Sequence, residues 1–445
     1  MQGSDDLSDI GKFGGNFEIE NPVPRPSSND VDLLNNKLHA MSLKSRMTLH
    51  PGADSMRIIQ LENEVRQLRE QHLNLKNDYS MVEEKFRKQE VLLHKLTERY
   101  RKELMERDEE LRKVHNEMVD LKGQIRVAVR VRKYEDEKNE DICVVGENDI
   151  KFDNKAEYHF EHIFNARNDQ EMVFGQVKEL ILSVLHGYNV CLIAYGPTGS
   201  GKTFTMRGEN NENLAGVIPR SIQFLLEHSE QQLAAIGWKF NFSASYLEVY
   251  NEEVFDLLDQ RKKCDLKLNG STSSTNVIGL KKVQIKSIFD TETLMNLADS
   301  YRSTASTGCN SQSSRSHAIF QIHVDAIHSK TGQIAKCSLN LVDLAGSERV
   351  KESGAQGERF AELTNINQSL STLKRCIRAQ MNNSSHIPFR ESKLTLLLRT
   401  YLGKGSSKTM FIAHLNPNDV AETKRTLEFT KELRSTNLGR AQVQK

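Results

Sequence analysis

The chain has 445 residues, of which 37% are hydrophobic and 27% charged, and its formal net charge is +1. That length fits two or three regions rather than one domain. The near-zero charge excludes a global field for nucleic acid, so any basic contact face must be local. Six scattered cysteines with no Cys-x-x-Cys pair suit reduced thiols and offer no zinc site. No apolar run follows Met1, and none approaches the ~20 residues of a membrane span. The expectation is a protein of the cell interior with neither membrane nor nucleic acid among its partners.

Residues 1–55 carry four prolines (Pro22, Pro24, Pro26, Pro51) and eight acidic against five basic side chains. Such a segment cannot bury enough apolar surface to offset its ordering entropy, and it reads as a disordered tail. From Met56 to Leu121 there is neither proline nor glycine. Apolar residues recur there at steps of three and four: Ile58, Leu61, Val65, Leu68, Leu75, Tyr79, Val82, Phe86, Leu93, Leu96 and Tyr100. His72 and Gln89 occupy the same register, a device that fixes pairing at some loss of stability. The stripe resumes out of phase at Leu104, Leu111, Val114, Met118 and Leu121, a stutter that locally unwinds a supercoil. Residues 56–122 are therefore expected to form a dimerising coiled coil of roughly 100 Å, ended by Gly123.

Ile125 to Val131 alternates with period two, placing Ile125, Val127, Val129 and Val131 on one face of a strand. From residue 123 to about 437, helical and strand patterns alternate, which predicts an α/β domain with a central mixed sheet flanked by helices. Phe240–Tyr246, Ala318–Val324 and Ser338–Val342 read as strands, and Ile366–Ile377 and Lys393–Leu402 as helices. Segments 204–216 and 261–276 read as surface loops, and 438–445 as a short C-terminal tail.

The strongest signal is Gly196-Pro197-Thr198-Gly199-Ser200-Gly201-Lys202-Thr203, a complete Gly-x-x-x-x-Gly-Lys-Thr phosphate loop. The apolar run Val190–Tyr195 that precedes it has the length of a strand covered on both faces. The glycines let successive N–H groups turn toward phosphate oxygens. Lys202 reaches the β- and γ-phosphates as a point charge, and the Thr203 hydroxyl can ligate Mg²⁺. Two later segments complete the constellation. Asn310-Ser311-Gln312-Ser313-Ser314-Arg315-Ser316-His317 gathers hydroxyls and a guanidinium ahead of a strand, and Asp343-Leu344-Ala345-Gly346-Ser347-Glu348 follows one. Hydrolysis of a phosphoanhydride needs positioned charge and an oriented water, which these groups can supply.

These three segments resemble the P-loop, switch I and switch II of the kinesin motor domain. Further similar stretches are Ser245–Glu252, Asn365–Leu370, His386–Thr395 and Thr426–Phe429. The resemblance covers roughly residues 123–437. A coiled coil leading into a C-terminal motor resembles the minus-end-directed members of that family.

The resemblance implies an ATP-driven microtubule motor of the cytoplasm, cytoskeleton and spindle, with ATP and Mg²⁺ as cofactors and a homo- or heterotypic coiled-coil partner. It implies that the backbone of 196–203 and Lys202 hold the phosphates, that Thr203 ligates Mg²⁺, and that Ser313 and Ser314 close on phosphate and metal. Asp343 would hold Mg²⁺ through water, Gly346 would contact the γ-phosphate, and Arg315 and Glu348 would form an ion pair between the switches. Arg130, Arg132 and Lys133 would lie beside the nucleoside, with Phe204 on the other side of the adenine. Lys351, Lys374, Arg375, Arg390, Lys393 and Arg399 would face the track. An alternative is a microtubule crosslinker with weak ATPase that needs a partner chain.

Four residues depart from the family pattern. Lys133 replaces a proline, Pro197 a glutamine, Gln368 a lysine and Glu391 an asparagine. The last two lower the positive charge near the track, so weaker microtubule binding is expected. His317, Trp238, His159 and His162 read as packing or surface residues rather than ligands.

Overall fold

The computed structural model describes residues 54–121, 125–132, 142–145, 147–152, 156–268, 275–304, 314–348, 358–403, 407–436 and 441. The predicted disordered tail, Gly123 and the C-terminal tail lie wholly or almost wholly outside these residues, as do Lys133, Ser313 and Lys351. The chain divides into two compact units, Met1–Arg99 and Tyr100–Lys445.

One helix, α1 (Asp54–Leu121), spans the predicted coiled-coil segment. Within the first unit its apolar stripe faces solvent: Leu68, Tyr79, Phe86 and Leu96 are all exposed. Water-facing Phe and Leu in regular register are what a helix presents to a second helix.

The second unit begins inside α1, upstream of the boundary expected after residue 122. The reason is a second stripe on the helix, offset from the apolar one. Met105 packs against the core, Val119 is 2% exposed, and the Arg112 guanidinium lies 5.3 Å from the Trp238 ring. His115 Nε2 sits 3.0 Å from the Glu179 carbonyl. The Lys408 ammonium donates to Asn116 Oδ1 at 2.7 Å and lies 3.7 Å from Asp120. Leu104, Leu111, Val114 and Leu121 meanwhile stay exposed. The docked stripe is mostly polar, so apolar periodicity does not reveal it.

After α1 come β1 (Ile125–Val131), β2 (Ile142–Val145), β3 (Asp149–Phe152), β4 (Ala156–His159), β5 (His162–Phe164), α2 (Gln170–Leu185), β6 (Val190–Tyr195), α3 (Lys202–Met206) and α4 (Val217–His228). There follow β7 (Trp238–Tyr250), β8 (Glu253–Asp256), β9 (Lys262–Leu268), β10 (Thr275–Ile278), β11 (Val283–Ile285) and α5 (Ile288–Thr304). The chain continues through β12 (His317–His328), β13 (Ile334–Asp343), α6 (Glu358–Met381), α7 (Lys393–Leu402), β14 (Lys408–Leu415) and α8 (Val420–Arg434). The main sheet runs β10-β9-β8-β7-β12-β13-β6-β14-β1-β5, with β11 beside β7. It is mixed: β6 lies parallel to β13 and β14, while β12 is antiparallel to β7 and β13.

Strand β6 is buried at all six positions, as its unbroken apolar run requires. Alternate residues serve two cores: Cys191, Ile193 and Tyr195 pack with Ile366, Leu370 and Leu394, and Val190, Leu192 and Ala194 with Val177, Ile222 and Ala298. Each fully buried Leu, Ile or Val is worth about 1.5–3 kcal/mol of transfer free energy, so the central strands anchor the unit. In β1, Ile125, Val127, Val129 and Val131 share one core, as predicted.

Strands β7 and β12 run longer than predicted: β7 continues through the buried Leu247, Glu248 and Val249, and β12 through the buried Ala326 and His328, all paired in the ladder. The segment expected as a loop at 261–276 instead contributes β9 and β10. It is polar because it forms the sheet edge, where half its residues meet water. In 204–216, helix α3 continues to Met206, and the chain then turns back through a bridge between Gly208 and Ala215.

Several buried histidines are held neutral in the core. Burial, reinforced by neighbouring cations, lowers His317 and His414 to about 3 and His323 to about 4. Unfolded, each would titrate near 6.5, so below about pH 6.5 the unfolded chain binds more protons than the folded one. The urea midpoint should therefore be level between about pH 7 and about pH 8 and fall from about pH 6.5 toward pH 4. A midpoint that stays constant to pH 5 would contradict this assignment.

Candidate functional site

The phosphate loop joins the end of β6 to α3, a helix whose first residue is Lys202. Glycine is a geometric necessity at Gly196, where φ is +153° and a Cβ would fall 2.3 Å from the His414 carbonyl oxygen. The Lys202 ammonium is buried and donates to the carbonyls of Gly196 at 2.9 Å and Pro197 at 2.8 Å. Burial lowers its pKa, against the pull of Asp343 and Glu348. Asp343, at the end of β13, accepts the Thr203 hydroxyl proton at 2.6 Å through Oδ2. Burial raises its pKa, opposed by Lys202. Its other oxygen, Oδ1, is buried with no hydrogen-bond partner. A hard carboxylate oxygen with an unmet coordination position, beside a hydroxyl at the loop, fits a Mg²⁺ ion.

The loop forms one wall of a cavity of about 700 Å³. Thr198 to Phe204 line it together with Arg130, Arg132 and Ser314. Arg130 lines the cavity and is engaged by its neighbours. Its guanidinium donates to Gln170 Oε1 at 2.8 Å and Thr205 Oγ1 at 2.7 Å, and lies 5.5 Å from the Phe204 ring. Burial lowers its pKa to about 10. Thr205 passes the connection on to His414 Nε2 at 2.7 Å. Arg132 donates to the Gly199 carbonyl.

The two switch segments meet directly. Gly346 N–H donates to the Ser314 carbonyl at 3.0 Å, and Ser347 N–H to the Gly196 carbonyl at 3.1 Å. A Cβ on Gly346 would fall 2.2 Å from Thr198 Oγ1 and 2.3 Å from a Glu348 oxygen, so a larger residue there would have to push both side chains aside.

The expected ion pair between Arg315 and Glu348 is not formed. Arg315 donates to Glu362 of α6 at 3.2 Å. Glu348 instead accepts from Thr198, from its N–H at 2.9 Å and its hydroxyl at 2.6 Å. The physical reason is local supply. The turn at Thr198 offers a carboxylate two donors at once, and α6 offers the guanidinium a nearer acid.

The kinesin motor domain family model matches residues 102–436. This chain belongs to that family. It is 35% identical over 457 residues to the kinesin-like protein KAR3 of Saccharomyces cerevisiae, covering 95% of this chain and 60% of that protein. Against the kinesin-like protein KIN-14D of Arabidopsis thaliana the identity is 35% over 401 residues, covering 82% and 50%. The chain thus spans about half the length of the curated relatives it matches. Among solved structures, the C-terminal motor and motor homology domain of Kar3Vik1, fused to a synthetic heterodimeric coiled coil, superposes with a TM-score of 0.70 at 35% identity. It covers 83% of this chain and all of that one. The family match starts at residue 102, close to where the second compact unit begins.

Within this kinesin fold the residues expected at the track separate into groups. Arg390 and Lys393 are exposed and Arg399 is half-buried. Arg375 is exposed but paired with Glu391. Lys374 turns inward, its ammonium 4.8 Å from the Phe429 ring and 5.5 Å from that of Tyr195. Gln368 is exposed on α6. Sequence reasoning missed Gln170, Thr205, His414 and Glu362. Only Gln170 carried a signal, beside the Asp169 cap of α2. Of the residues read as packing, Trp238 stacks edge-on to His328 at 5.2 Å, and the exposed His159 pairs with Asp149.

If Glu362 competes with Glu348 for Arg315, removing its charge should favour closure of the switches. Glu362→Gln should raise single-turnover hydrolysis of a bound nucleoside triphosphate by about threefold to tenfold. A rate equal to or below that of the unaltered chain would show that Glu362 is no competitor.

Proposed function

We propose that this chain is an ATP-driven microtubule motor, directed to minus ends, working as a coiled-coil dimer on the cytoskeleton and spindle. The observation that carries the reading is the joint between the P-loop and switch II. Thr203 meets Asp343, Glu348 accepts from Thr198 and Ser347 N–H donates to the Gly196 carbonyl across the same joint, so switch II is bonded to the loop that would take the phosphates. In this reading, residues 196–203 with Lys202 hold ATP, while Thr203, Ser314 and Asp343 hold Mg²⁺, which supplies charge neutralisation at the phosphates. Ser313, Arg315, Gly346 and Glu348 complete the site, with Arg315 and Glu348 leaving their present partners to pair.

The direction rests on domain order: the helix precedes β1 and leads into the motor from its N-terminal side. The dimer rests on the exposed stripe of α1. Residues 1–55 serve as tail, 56–122 as stalk and neck with the last turns docked on the motor, 123–437 as motor and 438–445 as C-terminal tail. Lys351, Arg390, Lys393 and Arg399 supply the positive face for an acidic track, with Arg375 tempered by Glu391.

The test is a gliding assay with the chain anchored by its N-terminus and polarity-marked microtubules. Gliding with plus ends leading, abolished by Lys202→Ala, is the expected result. Binding without movement or ATP turnover would overturn the motor reading, and minus ends leading would overturn the direction.

A charge added at Gln368 faces solvent and the track. Gln368→Lys is expected to tighten microtubule binding by roughly twofold to tenfold at low salt and less at high salt. Equal affinities at low salt would remove α6 from the contact face.

A further inference from the structure

A buried imidazole joins the two switches to the long helix α6. His317, the last residue of the switch I segment, opens β12 and is 2% exposed. Its Nδ1 lies 3.0 Å from the amide nitrogen of Ala345, the neighbour of Gly346 in switch II. Its Nε2 lies 2.8 Å from Ser369 Oγ on α6. A backbone N–H can only donate, so Nδ1 is the acceptor and the proton sits on Nε2, which donates to the serine. Ser369 in turn donates to the Ile366 carbonyl at 2.7 Å. Burial, with Lys202 and Arg302 nearby, holds the ring neutral, which keeps this one tautomer in place.

We infer that His317 is a positioning residue that transmits displacement of switch II to α6. Along the chain, Gly346 reaches Ser369 only through residues 347–368. Across space the same two elements are one side chain apart. Gly346 is held by Ser314 and stands against Thr198, so a phosphate that moves Gly346 moves the Ala345 N–H with it. The ring must follow or give up a bond, and a buried N–H or lone pair left without a partner is costly. Because the ring is rigid and both its nitrogens are engaged, motion at one end appears at the other. The helix it pulls on carries Glu362, the partner of Arg315, and the exposed Gln368. This inference rests on the proposed nucleotide site but does not require a microtubule.

The test uses hydrogen exchange on the full chain with and without the non-hydrolysable triphosphate AMP-PNP and Mg²⁺. Two variants cut the same bond from opposite ends. His317→Asn keeps an acceptor for Ala345 and loses the donor to Ser369, and Ser369→Ala removes one hydroxyl from a helix that stays packed. In the unaltered chain the nucleotide should change protection in both 343–348 and 358–381. In each variant the change in 343–348 should persist. The change in 358–381 should fall about fivefold to tenfold, the factor one buried hydrogen bond supplies. The double variant should lose no more than either single one.

A helix response that survives in both single variants overturns the inference, as does an unaltered chain whose helix ignores the nucleotide. Microtubule-stimulated turnover, measured in parallel on the unaltered chain, separates the two readings. Its absence beside an intact helix response would defeat the motor and leave the strut standing.

Discussion

A buried ammonium and a buried carboxylate, Lys202 and Asp343, stand in one another's field where β6 and β13 end, and the rest of the site depends on those two charges. Either charge alone in this interior would cost several kcal/mol. Each is made tolerable by the other and by oxygens and hydroxyls brought by the loop: the carbonyls of 196 and 197 for the lysine, Thr203 for the aspartate. The parallel pairing of β6 and β13 sets their separation, since Asp343 stands in register with Ala194. The sheet thus acts as the ruler for the chemistry. The unpaired Asp343 oxygen marks where this arrangement is incomplete without a cation.

Around this fixed pair the switching parts of the site have competing partners. Glu348 is held by Thr198 and Arg315 by Glu362, so the two groups that should close the switches are each engaged elsewhere. Such exchanges suit a device that must respond to one phosphate. Glu348 is held by a pair of hydrogen bonds from uncharged donors and Arg315 by a single, half-buried ion pair, and a strongly charged ligand can re-sort them. The neutral His317, by contrast, keeps its partners across the physiological pH range, so it carries geometry rather than charge.

Much of this is legible in the amino-acid order alone. The P-loop, the two switch segments and the fully buried β6 stand out because glycines at fixed spacing and an unbroken apolar run have few alternative meanings. What stays hidden shares one property: it depends on which of several equivalent partners a long side chain selects. Lys374 has the same sequence credentials as Arg390, yet it lies on the Phe429 ring instead of in solvent. Arg315 meets Glu362 because a helix far along the chain delivers it. Strands β9 and β10 escape notice because edge strands look like loops in composition. The docked face of α1 is obscured by a more conspicuous apolar stripe, offset around the same helix.

That docked face sets a limit on where the motor can be cut. Lys408 is 4% exposed, and its side-chain oxygen partners, Asn116 and Asp120, lie upstream of the first strand. A fragment beginning at residue 123 would keep β1 and every nucleotide-binding group. It would also uncover Trp238 and the ring of His186, which lies 5.0 Å from that of His115, and strip a buried ammonium of its side-chain oxygen partners. Such a fragment would hold all the catalytic parts and still be a damaged domain, prone to associate through the uncovered patch. The smallest intact motor therefore begins near Tyr100, and the last turns of the helix belong to the engine as much as to the shaft.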